Sequence, residues 1–408
     1  MGTEGVSGAL DGLRVIEMGE GVSAAFCSKL FSDYGADVIK IEEPGTGDKT
    51  RRWGPFPGDV AHPEKSGLYF ALNTNKRGIT LDVSVPKGRE QLLRLLEDAD
   101  VLIENYLPMK MKAWGLDYDT LSAANPDLVM ISITPFGQTG PYANWNGVDL
   151  NAFHLTGTGS RYCGRPGEAP LQHGTFSAEY YGAYAAVTWG LACVMGRKLV
   201  GGGQHLDVSC AEAVAATFVG AQNIGGYAQD GIFDKRTGVG MSLAAPATIL
   251  PCKDGYVWMI ALETAQWKGI VKAMGDPEWA QIDLFDDMFM RAQNADMIYP
   301  LLEEWTMQHG KQEIMDMLQG NGCPATAVYT VAEAADHPHM EDRGYIVEVD
   351  HPHLGTVRVL GAPIHLPECP GGPRCPAPLL GQHTEEVLCG QLGVSEKVYQ
   401  ELKDGGVL

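Results

Sequence analysis

Short apolar runs alternate with helix-period segments over about the first 130 residues, and this alternation constrains the fold more than any other feature of the chain. Arg14-Val-Ile-Glu-Met18 reads as a strand, Ala24 to Tyr34 as a helix, and Ala36-Asp-Val-Ile-Lys-Ile41 as a second strand. Strand, helix, strand is the smallest unit of a parallel sheet. Gly78 to Asp82, Asp100 to Glu104 and Leu128 to Ile133 supply further strands, with an amphipathic helix over Lys87 to Ala99. The expected class is α/β, with a Rossmann-like large domain wound around a parallel sheet.

A long apolar helix follows over Phe176 to Lys198 and stops at Gly201-Gly-Gly203; strand Gln204 to Ser209 and helix Ala211 to Tyr227 come next. A second set holds strands Tyr256 to Ala261 and Ala325 to Tyr329, helices Gln266 to Met274 and Lys311 to Gln319, and an acidic helical stretch, Ala280 to Met297. The expected organisation is a large domain of residues 1–210 and 331–408, a linker helix over 211–230, and a smaller α/β domain over 231–330.

The net charge of −21 argues against nucleic-acid or anionic-membrane partners, because phosphate surfaces demand a basic footprint. The excess is uneven. Residues 1–112 carry 14 basic and 17 acidic side chains, so the N-terminal part remains open to an anionic nucleotide. No run approaches a membrane span of about 18 apolar residues. The start lacks a signal-peptide pattern, so the expected location is cytoplasmic. Nine cysteines without Cys-x-x-Cys spacing read as reduced thiols, and no metal site is expected.

Several motifs then fall in a recognisable order. They are Leu10 to Glu17, Tyr34 to Asp48, Asn73-Thr-Asn-Lys-Arg77, Glu104-Asn-Tyr106, Phe136-Gly-Gln-Thr-Gly-Pro141, Gly147-Val-Asp149 and Gly203 to Ser209. Together they resemble the family III CoA-transferases, the group of formyl-CoA and carnitine CoA-transferases. The resemblance implies an interlocked, ring-like dimer and transfer of CoA from an acyl-CoA to a carboxylic acid. A carboxylate attacks the thioester, giving an enzyme anhydride and then an enzyme-bound CoA thioester. No cofactor is held permanently; the CoA thioester is substrate.

The family's aspartate register, 25 residues before Gln204, falls on Glu179, in the first turn of the long helix; the same count puts Arg197 on the family's helix-end arginine. A carboxylate there must be ionised, desolvated and aimed, with donors ready for an oxyanion. Asp149 matches an acidic position expected to orient that carboxylate. Gly238 and Gly240, in the region of a mobile glycine loop, are expected to offer N–H groups to the oxyanion.

Departures sharpen the expectation. Val22 stands where related members have a glutamine, and Val148 where they have a tyrosine or, in racemases, a histidine. Loss of the histidine argues against a racemase. The two valines suggest an apolar acyl pocket and a hydrophobic or aromatic acid such as benzylsuccinate. Two readings stay open. Glu179 is the nucleophile, or the chain is a silent subunit of a heterodimer or heterotetramer whose partner carries the aspartate. A homodimer fits the first, and an acyl-CoA hydrolase is a third, weaker alternative.

For the CoA thioester the resemblance points to Val22 and Lys40, to Arg51, Lys76 and Arg77 as phosphate contacts, and to Asn105 and Tyr106 as a groove wall. Lys110 and Gln138 complete that set, while Ala113 replaces a family arginine. His154, His173 and His205 lie near motifs but read as structural.

Overall fold

Strands that are apolar along their whole length need cover on both faces, which parallel sheets obtain from crossover helices. The computed structural model describes residues 8–217, 225–231, 236 and 243–408. They divide into two compact units: Met1–Thr158, Gln172–Phe233 and His339–Leu408, and then Gly159–Leu171 with Asp234–Pro338.

The first unit holds β1 (Arg14–Glu17), β2 (Asp37–Glu42), β3 (Arg77–Thr80), β4 (Val101–Glu104), β5 (Val129–Thr134) and β6 (His205–Ser209). Their order is β3-β2-β1-β4-β5-β6, every neighbouring pair parallel. The chain builds outward from β1 to β3, then returns to place β4 on the other side. At such a switch point the loops leaving adjacent strands diverge and open a crevice at their carboxyl ends. The segments after β1 and β4 are residues 18–22 and 105–107.

Helix Ser23–Asp33 and the long helix Ser177–Val200 cover one face. Glycines allow the long helix its close approach: a Cβ on Gly190 would meet Ile131 Cδ1 at 2.5 Å, and one on Gly182 would meet Cys210 Sγ at 2.7 Å. The helix ends at Gly201 in the left-handed conformation (φ 82°), a common C-terminal cap. The other face carries Leu92, Leu95, Leu96, Met111, Leu116 and Leu121 against β-strand residues Ile16, Ile39, Ile79 and Leu102. An antiparallel hairpin, β10 (Ile346–His351) and β11 (Gly355–Leu360), also belongs to this unit.

The second unit is built on an antiparallel sheet, β7 (Ala247–Cys252), β8 (Gly255–Ile260) and β9 (Ala325–Ala327). Strand β7 is missing from the sequence reading because Pro251 interrupts its run. The core gathers Trp267, Ile270, Phe285, Ile298, Leu302 and Ile314. Asp283–Asp286 is a short 3-10 turn, and Asp287 caps helix Met288–Gln293 through the N–H groups of Phe289 and Met290. The acidic stretch is therefore broken rather than one helix. Gly159–Leu171, expected in the large domain, groups with the second unit, where Arg236 donates to the carbonyls of Ser160 and Arg165. Of the expected linker 211–230, helices Cys210–Val214 and Gly225–Asp230 fall in the first unit, and residues 218–224 lie outside the described ones. No helix among the described residues is long and apolar enough to cross a membrane.

Candidate active site

The first N–H groups of a helix have no partner within it and sit at the positive end of its dipole. At the start of helix Ser23–Asp33 those groups face a carboxylate from another helix. Glu179 Oε2 accepts the backbone N–H of Val22 at 3.1 Å and of Ser23 at 3.0 Å. Its own backbone N–H donates to Asp149 Oδ1 at 3.0 Å. Asp149 is the first residue of helix Asp149–Leu155, and its second carboxylate oxygen takes a hydrogen bond from the Gln172 side-chain amide. Asp149 therefore caps the long helix and fixes where Glu179 emerges.

Burial pushes the Glu179 carboxyl up, and the neighbouring Asp149 adds to the rise; Lys49 and the two N–H groups oppose it. Burial also raises Asp149, against the N–H groups of Glu179 and Ala178 and the Gln172 amide. Burial strips water from the carboxylate, and the two directional donors hold Oε2 so that the other oxygen is aimed rather than freely rotating.

Glu179 faces a cavity of about 400 Å³. Trp53, Phe176, Ile133, Leu150 and Val148 give it apolar walls; Ser23, Lys49, Asn105, Gln172 and His173 give polar atoms. Trp53 and Phe176 stack at 5.6 Å, their planes 7° apart. An adjoining cleft of about 590 Å³ shares Asn105, Gly147 and Val148 and adds Tyr106 and Lys110. Lys110 Nζ lies 4.2 Å from the Tyr106 ring and 4.5 Å from that of Trp114.

The sequence candidates separate into three groups. Glu179, Asp149, Asn105, Tyr106, Lys110 and Val148 converge on the two openings. Asn105 also pins the loop after β1, accepting from the Glu20 N–H and donating to the Glu20 carbonyl and Ser23 Oγ. Val22 contributes its N–H, but its side chain is fully buried against Ala25 and Leu72 and forms no cavity wall.

Lys40, Lys76 and Arg51 are engaged below the site. They are 0%, 3% and 0% exposed. Lys40 Nζ lies 2.6 Å from Glu17 and 2.9 Å from Asp48, Lys76 Nζ lies 2.9 Å from Glu17, and Arg51 binds Glu42, Glu64 and Tyr69. The three cations expected at CoA are thus paired with buried carboxylates, since an unpaired charge inside the sheet is prohibitive. Arg77 pairs with Asp37 and Glu386. In the loop after β5, the Gln138 N–H donates to Asp207 of β6. Gly238 and Gly240 lie outside the described residues. Arg197, at the far end of the long helix, pairs with Asp100 at 2.8 Å.

Lys49, Trp53, Phe176 and Gln172 were not singled out from the sequence. Lys49 follows the Gly-Thr-Gly-Asp48 turn, where the double arginine Arg51 and Arg52 is the stronger compositional signal.

With this geometry in view, the chain matches the sequence profile described as CoA-transferase family III over residues 10–384. The succinyl-CoA–D-citramalate CoA-transferase of Chloroflexus aurantiacus is 32% identical over 388 residues, 95% of each chain. The beta subunit of that organism's succinyl-CoA–L-malate CoA-transferase is 30% identical over 405 residues, 98% of each. Among solved structures, a CAIB/BAIF family protein from Brucella suis superposes with a TM-score of 0.83 at 30% identity, covering 94% of this chain and 99% of that one.

Proposed function

The chain belongs to CoA-transferase family III, and from that premise we propose that it moves CoA from an acyl-CoA such as succinyl-CoA to a second carboxylic acid, with Glu179 as nucleophile. The observation that carries this reading is the Glu179 carboxylate, held by the N–H groups of Val22 and Ser23 on the wall of the 400 Å³ cavity. The CoA moiety occupies the adjoining cleft, with Lys110 toward its phosphates and Tyr106 along its chain.

Glu179 attacks the thioester carbonyl and CoA leaves as thiolate, forming a mixed anhydride. The thiolate then attacks the glutamyl carbonyl and releases the first acid. The incoming acid reverses the sequence. Asp149 keeps the glutamate in place through its backbone, and the N–H groups of Val22 and Ser23 stabilise the negative oxygen that forms at Glu179 whenever the glutamyl carbonyl is attacked, by thiolate or by carboxylate. The Trp53, Phe176, Leu150 and Val148 walls favour an acid with an apolar body, benzylsuccinate among them; the relatives named above act on the small hydroxy acids D-citramalate and L-malate.

A hetero-oligomeric assembly with a homologous subunit is the second reading. The relative named as a beta subunit and the glutamate in place of the family's aspartate favour it.

The test is to purify the chain alone, supply succinyl-CoA, and look for a CoA adduct on Glu179 by mass spectrometry. The expected outcome is an adduct in the native protein and none in Glu179→Gln. An inert chain whose activity returns with a co-expressed homologue, whether or not Glu179 is present, overturns the nucleophile assignment.

A further inference from the structure

Once Glu179 is acylated its charge disappears, and the cavity is left with a cation that needs a new anion. That cation is Lys49. Of the described residues lining the cavity it is the one lysine or arginine. Unlike Lys40, Lys76 and Arg51, it has no carboxylate within salt-bridge distance among the described residues; the Trp53 ring centre lies 5.6 Å from its Nζ.

Gly21 makes room for it. The residue has φ of 82°, and a Cβ there would lie 2.4 Å from Lys49 Cε, 2.9 Å from Lys49 Nζ and 3.8 Å from Glu179 Oε2. Ammonium and carboxylate thus flank one point without touching. The Gly21 N–H meanwhile donates to Asp48, which anchors the residue preceding Lys49.

Resting on the Glu179 reading, we propose that Lys49 is the carboxylate-exchange site: its ammonium receives the acceptor acid's reacting carboxylate and directs it at the glutamyl thioester. One oxygen of the acid pairs with Lys49 while the other forms a C–O bond to the glutamyl carbonyl carbon. The C–S bond breaks and CoA departs as thiolate with the electron pair. The thiolate then attacks the acid's own acyl carbon, a C–S bond forms, and the anhydride C–O bond breaks to restore the Glu179 carboxylate. No proton is gained or lost. A fixed cation suits this cycle because one carboxylate is always displaced: first that of Glu179, then that of the leaving or entering acid. An ammonium in a half-enclosed site attracts such an anion far more strongly than one in bulk water.

The experiment compares Lys49→Met, Lys49→Gln and Lys49→Arg with the native protein, measuring acceptor KM, kcat and the fraction of enzyme carrying CoA during turnover. Lys49→Met and Lys49→Gln are expected to raise acceptor KM at least tenfold and to accumulate the CoA adduct, while Lys49→Arg recovers most of the loss. Acceptor KM within twofold of native in both neutral variants, with no added adduct, overturns the proposal. A native protein that turns over with no adduct overturns the Glu179 assignment instead. Acceptor KM still reports the carboxylate site in that case.

Discussion

Glu179 and Asp149 are joined backbone to side chain: the N–H of Glu179 donates to Asp149 Oδ1 at 3.0 Å, so one carboxylate sets the position from which the other reaches the cavity. Positional control of this kind is worth large rate factors, because a reacting atom misplaced by about 1 Å can cost about a hundredfold.

Glu179→Gln is therefore expected to lower kcat roughly a thousandfold or more, as loss of a covalent nucleophile does. Glu179→Asp, one methylene shorter, loses reach to the Val22 and Ser23 N–H groups and is expected to fall between the two. Steady-state kinetics with adduct detection checks both. The folded chain holds the Glu179 proton more tightly than the unfolded chain does, since its carboxyl is raised by burial. At neutral pH its ionised form thus costs stability, and Glu179→Gln should raise Tm in a thermal scan even as it abolishes turnover.

Asp149→Ala removes the cap from helix Ser177–Val200. The expected cost is about 1–2 kcal/mol in urea unfolding, with kcat lowered more than KM because the glutamate loses its anchor. Equal activity in this variant would falsify the positioning role.

Glu17 is the common anion for Lys40 and Lys76, both within 2.9 Å. Burial pushes its carboxyl up, but the two cations outweigh that and hold it below the usual range. Glu17→Gln strands the buried Lys76 ammonium and leaves Lys40 with Asp48 alone, and should destabilise by about 3–5 kcal/mol. Lys76→Met, which leaves Glu17 paired with Lys40, should cost clearly less. Denaturant midpoints for the two variants rank them.

Glu104, at the end of β4, is 0% exposed; its Oε1 has no hydrogen-bond partner among the described residues, and burial raises its carboxyl to about 7. Because the folded pKa lies above the ordinary 4.5, its contribution is fully present below about pH 4.5 and is lost as pH rises through 7. The shift corresponds to about 3 kcal/mol. Unfolding free energies at pH 5, 6, 7 and 8 should show this decline in the native protein, and Glu104→Gln should flatten it.

By itself the sequence determined the parallel sheet, the long helix and the family chemistry, because period-two and helical apolar patterns and ordered motifs are local signals. It placed Glu179 in the first turn of its helix, where the structure has it. It could not sort the cations. Lys40, Lys76 and Arg51 read as CoA-binding cations until the fold brings Glu17, Asp48 and Glu42 around them, partners fixed by packing rather than by spacing. Val22 reads as a pocket wall, yet its side chain is buried and its backbone N–H carries the contact. Only the tertiary structure left Lys49 facing the cavity with no carboxylate partner among the described residues, because a charge is neutralised by whatever reaches it in space, and sequence distance holds no record of that.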